Sequence, residues 1–148
     1  MHFLDTITIT LAGLMVGNEF AVSAFFNPAV SQLESTPQAQ ALSVLAGSLG
    51  RAMPVWYGLC LALLALESFL HRRQAALVPL LTATLIWVGV IILTITVLVP
   101  INNRIASLNT AAPTPGWKEQ HRKWDSLHRI RILLLLVALL ALIYSLVA

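Results

Sequence analysis

Charge is what this chain has least of. Charged side chains make up 10% of its 148 residues, against roughly 25% in a soluble globular domain. So small a polar complement cannot cover a water-facing surface, which excludes a soluble fold. Cysteine is nearly absent as well. Cys60 is the only one, so no intrachain disulfide can form. It sits inside an apolar run, where it reads as a small buried side chain. Also missing are a P-loop to cradle phosphates, the GxGxxG turn of dinucleotide sites and the HExxH helix of zinc proteases. The N-terminus lacks the positive region of a leader peptide, and Asp5 is its only early formal charge. It therefore reads as a retained first span, although Ala21-Val22-Ser23-Ala24 has the small residues of a cleavage site. The formal charge of +3 and pI near 9.6 do not signal nucleic acid. The basic residues lie between apolar runs, where membrane proteins keep them.

What the chain has in quantity is apolar sequence, 58% of its residues. A membrane helix needs roughly 17–25 mostly apolar residues. Spans are expected at about residues 4–26, 54–70, 79–99 and 130–147. Pro54 and Pro79 suit a first helical turn, where a missing N–H goes unnoticed, and Pro100 is expected to close the third helix. Residues Trp117 to Arg131 contain no Gly or Pro and run straight into the fourth apolar stretch. One helix is therefore expected from Trp117 to the C-terminus, roughly 45 Å long. In the first loop, Ser35 and Thr36 precede Pro37, a helix-start signal. Leu42, Leu45, Ala46 and Leu49 then recur at helical spacing. They predict a short amphipathic helix, about residues 37–49, lying on the membrane surface or lidding the bundle. The second loop, His71-Arg72-Arg73, is tight, and the third, Asn109 to Gly116, reads as coil. Gly13, Gly17 and Ala21 fall at four-residue steps and predict a close-packing face on the first helix. The fold class is all-α: a single-domain integral membrane four-helix bundle, up-down-up-down, with a long fourth helix.

Four spans put both termini on one side and loops one and three on the other. The loop side carries Arg51, Arg104, Lys118, Arg122, Lys123, Arg129 and Arg131, and the opposite side only Arg72 and Arg73. The positive-inside rule places loops one and three in the cytoplasm, and a bacterial inner membrane is the expected location.

In such a bundle, Asn27-Pro28, Arg51 through Pro54, Pro100-Ile101-Asn102 and the start of helix four all come to the same end. His121, Trp124, His128 and Arg131 are spaced three, four and three apart and share one helix face. Trp117 lies one heptad before Trp124 and joins it. An interfacial Trp and Arg belt would give a similar stripe. Glu19 is the sharper signal. It lies eight residues before Asn27, roughly 12 Å along a helix, where an ionisable side chain marks a functional site by default. Ser23 and Asn18 add polar groups at similar depth. A protonated Glu19 bonded to a neighbouring helix is the simpler alternative. Glu67 and His71, four apart at the other membrane face, read as a snorkelling pair. His128 is the candidate for proton transfer near neutrality. His121 and His128 are seven apart, unlike the four-residue step of a zinc helix, and no metal site is expected.

These residues in this order, Asn27-Pro28, Arg51 to Pro54, Pro100-x-Asn102, Trp117, Trp124, His128 and Arg131, resemble the anthrone-oxygenase-like family of small four-span membrane proteins. The resemblance covers nearly the whole chain. It implies oxidation of an anthrone to an anthraquinone with O2 and without a cofactor, although many members have no known activity. On that resemblance His128 is the expected base, Arg51 and Arg131 hold an oxyanion, and Glu19 is a second proton acceptor. Trp124 and Trp56 stack on a flat substrate, with Asn102, Asn27 and Trp117 also contributing to binding. The expected partner is a small lipophilic substrate or lipid within the membrane, and a homo-oligomer is compatible with this. The alternative is a non-catalytic membrane protein that binds a lipid, a quinone-like ligand or another membrane protein.

Overall fold

The computed structural model describes residues 2–147. Its helices are α1 (His2–Ala21), α2 (Asn27–Ser31), α3 (Ser35–Leu70), α4 (Leu77–Leu93), α5 (Val99–Ala106) and α6 (Trp117–Val147). A π-helical turn, Val22–Phe26, joins α1 to α2, and a second, Thr94–Leu98, joins α4 to α5. The result is four continuous rods, Phe3–Ser31, Ser35–Leu70, Leu77–Ala106 and Trp117–Leu146, each long and apolar enough to cross a membrane. Each rod packs on the next, and the fourth closes on the first. Bonds between rods run in opposed order of residue number. Ser68 and Tyr57 of α3 meet Thr84 and Trp87, while Ala46 meets Asn102 further along. Neighbours are therefore antiparallel, as short connections require.

Leucine, valine and isoleucine face outward as well as inward. Val55, Leu85, Phe25 and Ile95 are all more than 60% exposed, which water would not tolerate over so large a surface and lipid would. The main core holds Met15, Tyr57, Leu64, Leu80, Trp87, Leu135 and Leu142.

Three expectations need correction. First, no break precedes Pro54. Residues 37–49 are helical, but they belong to a 36-residue α3 with Pro54 in its interior. They do not form a separate surface helix: Ala39, Leu42 and Ala46 are buried against Ile101, Ile105 and Trp117. At roughly 54 Å, α3 outreaches the ~30 Å hydrocarbon layer, and its first half extends the bundle as a second packed layer. Secondly, neither Asn27-Pro28 nor Pro100 ends its helix. A proline ring clashes with the carbonyl four residues back. Each π turn adds a residue just before its proline, and the bonds there run five residues back, from Asn27 N–H to Val22 and from Val99 N–H to Thr94. The wider turn accommodates the ring, and the rod continues to Ser31 or Ala106. Thirdly, the Gly13 and Gly17 face is not a packing seam within the chain, because a Cβ at either would meet nothing within 4 Å. Ala12, Met15, Val16 and Glu19 face the core instead.

The other signals match the helices formed. Ser35, Thr36 and Pro37 open α3, Pro79 lies in the first turn of α4, and α6 begins at Trp117. Gly116 has φ +83°, the left-handed region that glycine alone enters without penalty. Its carbonyl accepts the N–H groups of Glu119 and Gln120 to start α6.

Candidate functional site

The four rods border a half-open cavity of about 370 Å³, within the ~300–1,000 Å³ usual for small-molecule sites. Apolar residues of α3 and of the third rod, among them Leu42, Met53, Leu61, Ile91 and Leu98, line most of it. One wall is polar and is built by α1 and α6. Both π turns border the cavity: Val22 lies in one, and Thr94, Ile95 and Leu98 in the other. Widened turns of this kind recur at functional sites, because they displace side chains that a regular helix would align.

Glu19 is the centre of the polar wall and is 2% exposed. Its Oε2 accepts from Arg131 Nη2 at 2.5 Å, and its Oε1 accepts from the Tyr57 hydroxyl at 3.1 Å. Arg131 also donates from Nη1 to Thr94 Oγ1 at 3.3 Å. A second donation, from Nη2 at 2.7 Å, meets His128 Nδ1. His128 is fully buried, and its Nε2 lies 3.1 Å from the Glu19 carbonyl oxygen. A carbonyl only accepts, so Nε2 carries the proton. Nδ1, facing a guanidinium N–H, carries the lone pair. The imidazole is thus the neutral Nε2–H tautomer, and a single carboxylate balances a single guanidinium. Charges this deeply buried are tolerated only when paired and hydrogen-bonded in this way. Nε of Arg131 is different: it is buried and has no partner among the described residues, and an unsatisfied buried donor in a native fold calls for a reason.

An aromatic ladder rises from the cluster along α6. Trp124 stacks on His128 with centroids 4.6 Å apart and 18° between planes, and on His121 at 6.0 Å and 13°. This is the three- and four-residue spacing of the sequence expressed as contacts. Arg131 lies 5.7 Å from the Tyr57 ring centroid and 6.0 Å from that of Trp124, within cation–π range.

Of the residues expected from sequence, Glu19, Asn27, Asn102, Trp124, His128 and Arg131 all line the cavity. Asn27 donates to Asp125 Oδ1 at 2.6 Å, and Asp125 is ion-paired with Arg129. Asn102 donates to the Ala46 carbonyl at 3.0 Å and pins α5 to α3 where Gly50 leaves room. A Cβ on Gly50 would come within 3.0 Å of the Asn102 amide nitrogen.

Three expected residues lie elsewhere. Arg51 is exposed and off the cavity wall. Because α3 is continuous, position 51 turns away from the stripe formed by Gly50, Met53, Pro54 and Tyr57. Trp56 packs toward α1 and donates to the Leu11 carbonyl at 3.2 Å. Trp117 is buried in the second core with Leu42 and Ile105. Sequence reasoning missed Tyr57, Thr94 and Asp125. Tyr57 could have been found by asking which donor on the neighbouring helix reaches the depth of Glu19. Asp125 sits among basic residues and resembles an ordinary i, i+4 partner of Arg129.

The fold and this wall define a class: a small four-rod membrane protein with a paired carboxylate and guanidinium set into an apolar cavity. The anthrone oxygenase family model matches residues 15–141, and the chain belongs to that family. No curated protein and no solved structure matches it.

Proposed function

We propose that the protein is a membrane-embedded oxidoreductase that oxidises a flat, lipophilic carbon acid of the anthrone type with O2. The observation that carries this reading is Arg131, a guanidinium held by Glu19 and Thr94 on the wall of an apolar cavity. That positive charge suits an oxyanion formed from a substrate too apolar to bring its own counter-ion.

Loss of a ring CH proton turns an anthrone into an aromatic anthrolate whose charge rests largely on oxygen. Arg131 stabilises that oxygen, and Trp124, both of whose faces are stacked on His121 and His128, bounds the cavity beside the rings. Glu19 is favoured over His128 as proton acceptor. Both imidazole nitrogens are engaged, one by the Glu19 carbonyl and one by Arg131, whereas each carboxylate oxygen keeps lone-pair capacity beyond its single bond. His128 then orients Arg131 and passes protons only after that contact opens. The anthrolate gives one electron to O2, and the radical and superoxide combine to form a C–O bond. Protonation gives a hydroperoxide. Removal of the remaining CH proton breaks the O–O bond and leaves a quinone carbonyl and water. One CH2 and one O2 become one C=O and one H2O, and the steps require no further redox group.

The bacterial inner membrane, with the Arg104 to Lys123 end in the cytoplasm, is proposed from the charge distribution.

The test is oxygen uptake by purified protein with a panel of anthrones, for wild type and for Glu19→Gln. Uptake that needs the protein and falls at least 100-fold in the variant supports the reading. Tight binding without uptake by wild type would instead favour a non-catalytic carrier of quinone-like ligands.

A further inference from the structure

A second buried polar cluster lies at the opposite end of the bundle, where the start of α1 meets the end of α3. Glu67 is fully buried, His71 is 5% exposed and Thr8 1%. Sequence spacing suggested that Glu67 and His71 snorkel to an interface, but Glu67 points inward. Its Oε1 lies 3.0 Å from the Thr8 hydroxyl, and its Oε2 has no hydrogen-bond partner among the described residues. His71 Nδ1 is 3.5 Å from that same Oε2 and 3.0 Å from the Glu67 carbonyl oxygen. Asp5, half-buried on α1, contributes a carboxylate whose Oδ1 is likewise buried and unbonded. One ligand atom from each of Asp5, Glu67 and His71 lies within 4.8 Å of the other two.

Two carboxylates facing each other with unbonded oxygens need a positive charge or a shared proton. Among the described residues, no Lys or Arg is ion-paired with either. Arg72 and Arg73 stand on the next turn but are exposed, and Arg72 is turned back to the Phe69 carbonyl. The Glu19 centre balances its one carboxylate with Arg131, whereas the two carboxylates here have, among the described residues, only the His71 imidazole as an ion-pair partner. Its donors instead match a metal ion. Oxygen and nitrogen ligands bind first-row divalent ions at roughly 2.0–2.2 Å, so two ligands on one ion stand about 3–4.4 Å apart. A small closure of the three side chains would suffice. The donor set, two carboxylates and one imidazole, suits manganese, iron(II) or zinc more than magnesium or calcium. Thr8 and the Glu67 carbonyl would orient a carboxylate and the ring, as outer partners of metal ligands commonly do.

We propose that Asp5, Glu67 and His71 bind one divalent transition-metal ion, which clamps the start of α1 to the end of α3. The site lies roughly 16–21 Å along α1 from Glu19, so it acts on the bundle's stability and not on the chemistry of the cavity. It stands independently of the proposed oxidation.

Tag-free protein in detergent, stripped with a chelator, would be titrated with cobalt(II) by equilibrium dialysis. Visible d–d absorption and melting temperature would be followed in parallel. The wild type is expected to bind one equivalent, develop the absorption and melt at a higher temperature with the metal. Glu67→Gln, which keeps the side-chain shape, is expected to bind at least tenfold more weakly and show no shift in melting. Should Glu67→Gln fail to fold, Asp5→Asn at the half-exposed position decides by the same readouts. Absence of binding to wild type, or equal binding to wild type and variant, overturns the proposal and leaves a proton-sharing carboxylate pair.

Discussion

Glu19 and Arg131 matter to each other more than either matters alone. Their side chains are 3% and 7% exposed, so removing one leaves the other as an unpaired buried charge. Arg131→Met is expected to lower stability by about 3–5 kcal/mol, while the double variant with Glu19→Gln recovers most of it. Thermal unfolding in detergent measures both, and equal losses in the single and double variants would contradict the pairing. Tyr57→Phe removes one hydrogen bond to the carboxylate and keeps the ring. It is expected to destabilise by about 1.5 kcal/mol. Much of this cluster was legible in the sequence because of cost: an ionisable residue deep in an apolar helix has few reasons to be there. The 121, 124, 128, 131 spacing was equally plain. Tyr57 was not legible, because a tyrosine in a membrane helix is unremarkable until its neighbour is known. The role of His128 also depended on atoms. Its spacing put it beside Arg131, but only the geometry reveals that both nitrogens are taken.

At the scale of elements, the prolines shape the two rods that carry π turns. Pro28 and Pro100 each follow a π turn that borders the cavity. Replacing either by alanine restores an N–H and removes the clash, so ordinary α bonding can resume. Loss of the extra residue would rotate the following segment by roughly 100°. Pro100→Ala should then carry Asn102 off the Ala46 carbonyl. The expected result is a folded but less stable protein, because Ile101 and Ile105 turn away from Ala39, Leu42 and Ala46, and its oxygen uptake falls at least tenfold. Unchanged uptake would mean that the π turn has no part in shaping the site. Gly50→Ala tests the same junction from the other side, since its Cβ presses on the Asn102 amide. A modest loss of stability, about 1 kcal/mol, is expected. The helices were readable from apolar run length and from the Ser35-Thr36-Pro37 and Trp117 starts. The continuity through Pro54 and Pro100 was not, because a proline signals a break and its accommodation rests on tertiary packing. Leu42 and Ala46 likewise gave the right period but not the partner, since Ile101 and Ile105 reach them only when the third rod continues past Pro100.

For the whole molecule, the antiparallel ring of rods puts Cys60 in the core at 1% exposure. In intact membranes it should resist water-soluble thiol reagents until the bundle is unfolded, and rapid labelling would contradict the packing of α3. If the Arg104 to Lys123 end faces the cytoplasm, as proposed from the charge distribution, a C-terminal alkaline phosphatase fusion should be active and a C-terminal fluorescent reporter that folds only in the cytoplasm should not. The reverse pattern would invert the orientation and leave the fold intact. The cavity, its single guanidinium and its carboxylate together form a place where an apolar acid can lose a proton and hold the resulting charge. The most direct measurement is the visible spectrum of an anthrone mixed with the protein under anaerobic conditions, compared with Glu19→Gln. Anthrolate absorption is expected with the wild type, with its loss in the variant and its decay when O2 is admitted. Bound anthrone without the anion, or equal anion with Glu19→Gln, would contradict it.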